Sequence, residues 1–200
     1  MRYILAIIIG YLMGNIAPSY FAGKLLGNID IRNHGSGNAG ATNVWRVLGT
    51  RPGIIVFILD VLKGFLAAMI GNLLGGQLGA ALAGCAVIIG HDYPIFLHFK
   101  GGKGISTSFG VLLYLAPLVP LTALIIGIII IYNTCYVSLA SIVGVILAPI
   151  LTALYRYPKQ YVFVALLIMV LGLYRHKDNI KRLLNGTENK MQIKKRNYLK

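Results

Sequence analysis

Seven apolar blocks run along the chain, at residues 4–21, 54–69, 78–97, 105–116, 119–132, 136–154 and 161–174. Several approach the twenty or so residues a helix needs to cross about 30 Å of hydrocarbon. The apolar residues come in runs rather than alternating with polar ones. Only 12% of residues are charged, against about 25% in a soluble domain. With a mean hydropathy of +0.75, water cannot be the solvent for most of this surface. A bilayer core offers backbone groups no water, so each block is predicted to be helical. The 24 glycines suit close helix packing in lipid. The chain is read as one membrane-embedded, all-α domain over 1–200. The first block is read as a span, not a cleaved leader: it lacks a convincing small-residue cleavage site and runs straight into Lys24 and a basic loop. Cys85 and Cys135 lie in or beside apolar blocks without zinc-ligand spacing, and are read as small buried hydrophobes.

Charge gives an orientation. The formal net charge is +14, and nine of the 19 Lys and Arg lie after Tyr174. Lys24, Arg32, Arg46, Arg51, Lys100 and Lys103 occupy the loops after the first and third blocks, while the connections at 71–77 and 117–120 carry no charge. The positive-inside rule then makes those loops and the tail (175–200) cytoplasmic and the N-terminus external. Parity requires an odd number of spans. The region 105–132, at about 1.5 Å per residue, is long for one span and short for two. Pro117 and Pro120 mark a break, so the expectation is seven transmembrane helices, with Arg156 and Lys159 falling outside against the rule. The tail 190–200 is read as attraction to anionic lipid. No aromatic platform or reader fold points to nucleic acid.

Three polar segments carry chemistry. The first runs from Asn33 to Arg46. Gly35, Gly37 and Gly40 match the G-x-G-x-x-G dinucleotide fingerprint, but no βαβ unit surrounds them. The physics behind the fingerprint still holds. Glycines let the backbone reach positive φ, and successive N–H groups form a nest for phosphate oxygens. Ser36, Asn38, Thr42 and Asn43 add uncharged donors, and residues 41–48 are predicted as a short helix ending at Gly49, with Arg46 projecting from it. In the second, Lys100-Gly101-Gly102-Lys103-Gly104 leads into Ser106 and Thr107. It lacks Walker spacing, yet sets free N–H groups, a positive helix end and two ammonium groups together. In the third, 176–188, helical spacing puts His176 and Asn179 on one face of an amphipathic helix that stops at Gly186. Asp60 and Lys63 are i, i+3 inside a block and are read as a local ion pair. His91 and Asp92, before Pro94, are read as shaping the end of the third helix.

Together and in order, these segments resemble the bacterial membrane glycerol-3-phosphate acyltransferases that use acyl phosphate as donor. The run from Gly35 to Arg46 is similar to that family's first motif. Gly90-His91 through Pro94, with Phe99 to Gly104, is similar to its second. His176, Asn179 and the run Asn185 to Glu188 are similar to its third. Ser106 stands where the family has Ala, which puts nothing in doubt. The resemblance implies seven helices in the bacterial inner membrane, the active site on the cytoplasmic side, and no metal or other cofactor. It implies transfer of a long-chain acyl group from acyl phosphate to the sn-1 hydroxyl of glycerol 3-phosphate, giving lysophosphatidic acid for phospholipid synthesis by what is expected to be a monomer. Ser36, Arg46 and His176 would serve the reaction. Gly35, Gly37, Asn38, Thr42, Asn43, Lys100, Gly101, Gly102, Lys103, Gly104, Ser106 and Asn179 would bind substrate, with Glu188 and His91 in supporting roles.

Two phosphates bring up to about four negative charges at neutral pH, and Arg46, Lys100, Lys103 and a protonated His176 would balance them. Either His176 or the donor's own phosphate oxygen would accept the hydroxyl proton. Ser36 is read as a hydrogen-bond donor, since its surroundings are not G-x-S-x-G. A metal-dependent phosphotransferase needs clustered carboxylates, but Asp30, Asp60, Asp92, Asp178 and Glu188 are scattered. A transporter predicts motifs near the bilayer midplane and repeat symmetry; here they lie in loops, and no repeat is evident.

Overall fold

A computed structural model describes residues 1–191, which form helices joined by irregular loops with no strand among the described residues; the tail beyond 191 lies outside them. The helices are α1 (Arg2–Asn15), α2 (Pro18–Gly27), α3 (Ala41–Leu48), α4 (Thr50–Asp92), α5 (Ile105–Leu115), α6 (Leu118–Thr134), α7 (Val137–Leu154), α8 (Lys159–Arg175) and α9 (Lys177–Leu184). α4 is a hairpin. Gly75 and Gly76 leave helical geometry, Gly76 at φ +61°, and Gly71 on one arm packs on the Gly79 backbone of the other. The expected uncharged connection at 71–77 therefore shrinks to two residues. The proline break is where the sequence put it, with Ala116 and Pro117 between α5 and α6.

Two block boundaries need correction. The first block is not one helix: it breaks at Ile16–Ala17, with Pro18 opening α2, where its fixed φ and missing N–H cost least. The third block ends at Asp92 rather than running to residue 97, because Tyr93 leaves the helix ahead of Pro94. By length and composition, the stretches Arg2–Gly27, Thr50–Leu97 and Val137–Leu154 suffice to cross a membrane, while Ile105–Leu115 and Leu118–Thr134 are apolar but shorter.

Small residues set the packing. A Cβ on Gly10 or Gly14 of α1 would collide with the backbone of the second arm of α4, and one on Gly64 or Gly110 would collide where the first arm meets α5. Helix axes can then approach closely, which is how helices gain contact in lipid without a hydrophobic drive between them. A core of Val87, Ile88, Val111, Leu115, Val145, Val164 and Ile168 joins α4, α5, α7 and α8. Outward faces remain apolar, as at Ile4, Ile8, Ile55, Ile58, Ile125, Ile129 and Phe163. On a water-soluble protein such a surface would aggregate. α6 packs on α7 and α5 and has no extensive contact with α4, so a groove opens between α6 and the first arm of α4.

Candidate active site

The first polar segment is folded by Asn43. Its Nδ2 donates to the carbonyls of Ile31, His34 and Asn38 at 3.0, 2.9 and 3.0 Å, and its Oδ1 accepts from the Ser36 N–H at 2.8 Å. Gly35 and Gly37 adopt φ +61° and +72°, and a Cβ on Gly35 would overlap Asn43 Oδ1. The expected positive φ is present, but two assignments change. Asn43 is 2% exposed and its amide is consumed by the loop, so it shapes the nest rather than offering donors from it. The Ser36 N–H is likewise spent, which leaves the exposed Ser36 hydroxyl as that residue's free polar group. From this loop α3 starts at Gly40 and ends at Gly49, as the sequence predicts. Trp45 packs on Gly53, where a Cβ would lie 2.6 Å from the tryptophan's own, and Arg46 projects from the exposed side.

The second segment turns back beneath α4. His98 and Phe99 take positive φ (55° and 59°). Gly101 and Gly102 then lie so close to His91 that a methyl on either would overlap its carbonyl or its ring. The Gly102 N–H donates to the His91 carbonyl at 3.1 Å. Gly104, at φ +70°, caps α5, so the amides opening α5 have no acceptor within the helix. The third segment is tied on by Arg175, whose guanidinium donates to the carbonyls of Gly101 and Gly102 and lies 5.1 Å over the Tyr93 ring. Lys103 Nζ donates to Asn179 Oδ1. Asn179 Nδ2 passes the contact on to Glu188 Oε1 at 2.7 Å, and Glu188 also accepts from Ser138 Oγ at 3.0 Å and Arg182 Nε at 2.8 Å.

These segments close around a cavity of about 570 Å³. Its polar end holds Ser36, Asn38, Thr42, Asn43, Arg46, Lys103, Gly104, Ser106, His176, Asn179 and Glu188. Its other end is apolar, formed by Ile54 and Phe57 of α4, Leu124, Ile128 and Ile131 of α6, and Val137 of α7. Ile54 and Ile128 are about half exposed, at 48% and 58%, so this end opens sideways through the groove onto the apolar surface. Gly37, Lys100 and Gly101 line a neighbouring cavity of about 550 Å³ with Arg32, His98 and Arg175, and Asn38 borders both cavities. There Arg32 is paired with Asp30 at 2.6 Å, and its hydrogen bond brings the Asp30 carboxyl down to about 2. Gly35 and Gly102 line neither cavity; Gly35 acts through the turn it permits and Gly102 through its close approach to the His91 ring.

Burial, and then the charge of Lys103, push His176 down to about 4. Its Nδ1 lies 2.8 Å from the Gly172 carbonyl, so the neutral ring donates there and Nε2 is the bare nitrogen. The expected protonated His176 is therefore corrected: burial beside an ammonium keeps the ring uncharged. Burial, and then Arg182, bring Lys103 down to about 8. For Glu188, burial raises the carboxyl, but hydrogen bonds from Arg182, Asn179 and Ser138 outweigh it and hold it below the usual range.

Sequence reasoning did not find Arg175, Ser138, Ser141, Trp45 or the apolar wall. It read Asp60 only as half of an ion pair, yet Asp60 and His91 border the cavity as well. The α6 wall has helical spacing at 124, 128 and 131, but α6 is apolar all round, so no face stands out.

A cavity with a cationic end fit for phosphate and an apolar end open to lipid defines a membrane-embedded site for an anionic amphiphile. The comparisons with known proteins agree. A family profile described as glycerol-3-phosphate acyltransferase matches residues 4–186, and the chain belongs to that family. A glycerol-3-phosphate acyltransferase of Thermoanaerobacter sp. (strain X514) is 50% identical over 96% of each chain. One from Alkaliphilus metalliredigens is 45% identical over 96% of this chain and 97% of its own. Among solved structures, PlsY (YgiH), an integral membrane glycerol 3-phosphate acyltransferase, superposes with a TM-score of 0.91 in its glycerol 3-phosphate form, at 41% identity and 96% coverage of each chain. Its lysophosphatidic acid form gives a TM-score of 0.89 at 40% identity. The chain is thus a multi-pass membrane protein of this family.

Proposed function

We propose that this protein transfers a fatty acyl group from acyl phosphate to the sn-1 hydroxyl of glycerol 3-phosphate, releasing lysophosphatidic acid and inorganic phosphate. The observation that carries the reading is the single cavity in which Arg46 and Lys103 stand at one end and Phe57, Ile128 and Ile131 at the other. Phosphates belong beside the cations and the free amides opening α5, and the acyl chain lies along α6. The seven apolar rods (α1, the two arms of α4, and α5 to α8) serve as spans. The basic loops face the cytoplasm of a bacterial inner membrane and the N-terminus faces outward.

In the reaction, the sn-1 oxygen attacks the acyl carbonyl carbon, and the bond from that carbon to the bridging phosphate oxygen breaks. The hydroxyl proton leaves with the phosphate. A buried ring held near 4 is a weak base, whereas the donor's phosphate gains basicity as its bond to the acyl carbon breaks, so the phosphate is the better acceptor. His176 Nε2 then serves as a hydrogen-bond acceptor that orients the substrate. Ser36 Oγ, Arg46 and Lys103 stabilise developing charge, and positioning supplies most of the rate. The test is purified protein with radiolabelled glycerol 3-phosphate, offered acyl phosphate or acyl-CoA, with and without divalent metal. Turnover with acyl phosphate in the presence of a chelator is expected. Turnover solely with acyl-CoA, or solely with added metal, refutes the proposal.

A further inference from the structure

Lys63 is a buried ammonium in an apolar helix, 6% exposed, and its contacts lie on separate parts of the chain. Nζ sits 2.7 Å from Asp60 Oδ1, one turn back on the same arm of α4. It donates to the Ile16 carbonyl at 2.7 Å and approaches the Gly14 carbonyl at 3.4 Å. Those carbonyls are free because the first block breaks there. Pro18 has no N–H to offer Gly14, and the Tyr20 N–H bonds to Ala17 instead of Ile16. Nζ also lies 2.8 Å from His91 Nδ1 on the other arm. The same Nδ1 is 3.4 Å from Asp60 Oδ1, and beside an ammonium, which can only donate, the closer contact makes Nδ1 an acceptor and leaves the ring hydrogen on Nε2.

His91 is the surface on which the glycine loop rests. Its carbonyl accepts from Gly102, and its ring fills the space a side chain on Gly102 would need. Lys103 and the start of α5 follow directly. A pair existing merely to cancel two charges needs no third partner 28 residues away, and a buried ion pair is in itself weak support for stability. We propose that Lys63, paired with Asp60, is a positioning residue: it fixes the tautomer and tilt of His91, and through Gly101–Gly102 sets where Lys103 and the α5 amides meet the phosphate of glycerol 3-phosphate. This rests on the function proposed above.

The test uses the full chain purified in detergent, with steady-state kinetics for both substrates, glycerol 3-phosphate binding by calorimetry, and thermal midpoints. Lys63→Met is combined with Asp60→Asn so that no lone carboxylate is buried. This variant is expected to raise KM for glycerol 3-phosphate about tenfold or more and to weaken its binding in parallel. Its kcat and its KM for acyl phosphate should stay within about threefold. Adding His91→Gln should leave it no worse than His91→Gln alone, since the ammonium acts through the ring. A folded variant with unchanged KM for glycerol 3-phosphate, or effects that multiply, overturns the inference. If the pair variant does not fold, His91→Gln decides: a raised KM for glycerol 3-phosphate at an unchanged midpoint supports it, and an unchanged KM overturns it. Absence of glycerol 3-phosphate binding by the unsubstituted protein refutes the proposed function instead.

Discussion

Arg175 Nη2 lies 2.6 Å from the Gly102 carbonyl, with Nε on the same oxygen at 3.0 Å, so the residue before His176 holds the loop that carries Lys103. Two of the three polar segments, 73 residues apart along the chain, are thus tied together by one guanidinium. Arg175→Met is expected to destabilise the protein by about 1.5–3 kcal/mol, the range for hydrogen bonds to a charged group. It should also raise KM for glycerol 3-phosphate more than it lowers kcat. Thermal midpoints and steady-state kinetics check both.

Lys103 titrates within reach of assay. With its ammonium at about 8 in the free protein, kcat/KM for glycerol 3-phosphate should fall as pH rises through about 8, because the site loses a positive charge. Lys103→Arg, charged throughout, should remove the inflection. A profile unchanged by that substitution would assign the titration elsewhere.

The fold should weaken in acid. His176 is held at about 4 in the folded chain against 6.5 for a free imidazole. The unfolded chain therefore binds its proton first, and stability is lost as pH falls from about 6.5 toward 4. Glu188, held below its usual 4.5, adds a loss of the same sign at the lower end of that window. Thermal midpoints from pH 7 to 4.5 should decline. ¹⁵N-histidine spectra should show the His176 ring neutral, with hydrogen on Nδ1, at pH 6. A protonated ring at that pH would contradict the geometry at Gly172.

Asn43→Ala should act on folding. It removes one acceptor and the donors to three carbonyls, and each polar group left buried and unpaired costs about 1–3 kcal/mol. The yield of folded protein and its midpoint should drop before any kinetic constant can be read. Thr42→Ala, on the same helix but without such bonds, should fold normally.

Ile131→Trp should shorten the apolar end. Excluding two methylenes from the groove costs roughly 1.6 kcal/mol at about 0.8 kcal/mol each, near fifteenfold. The ratio of long-chain to short-chain acyl phosphate turnover should fall by that order, and the KM for glycerol 3-phosphate should not move.

Local signals carried well from sequence to structure. The short helix at 41–48 was legible because Gly49 stops an amphipathic run, and the α5–α6 break because Pro117 interrupts an apolar one. Gly35 and Gly37 read correctly as positive-φ positions, whereas Gly40, the third glycine of that run, caps α3 in extended geometry at φ −135°. The break at Ile16–Ala17 was missed because hydropathy runs through it unchanged and proline is tolerated within membrane helices. The contact of Lys63 with His91 spans 28 residues, and no helical periodicity links them. Asn43 and Asn179 look alike in sequence, as amides in polar segments that border the cavity, and tertiary bonding alone shows that the first pins its own loop while the second links Lys103 to Glu188.

The interrupted first block has a consequence for what the interior of the bundle can admit. The break leaves the Gly14 and Ile16 carbonyls out of the helical ladder, and Lys63 Nζ meets them at 3.4 and 2.7 Å. A straight helix there would spend those carbonyls on its own N–H groups and leave the lysine without acceptors in an apolar interior. The irregular turn is a receptacle shaped for its guest: a broken helix and a buried cation, each costly alone, are admissible together.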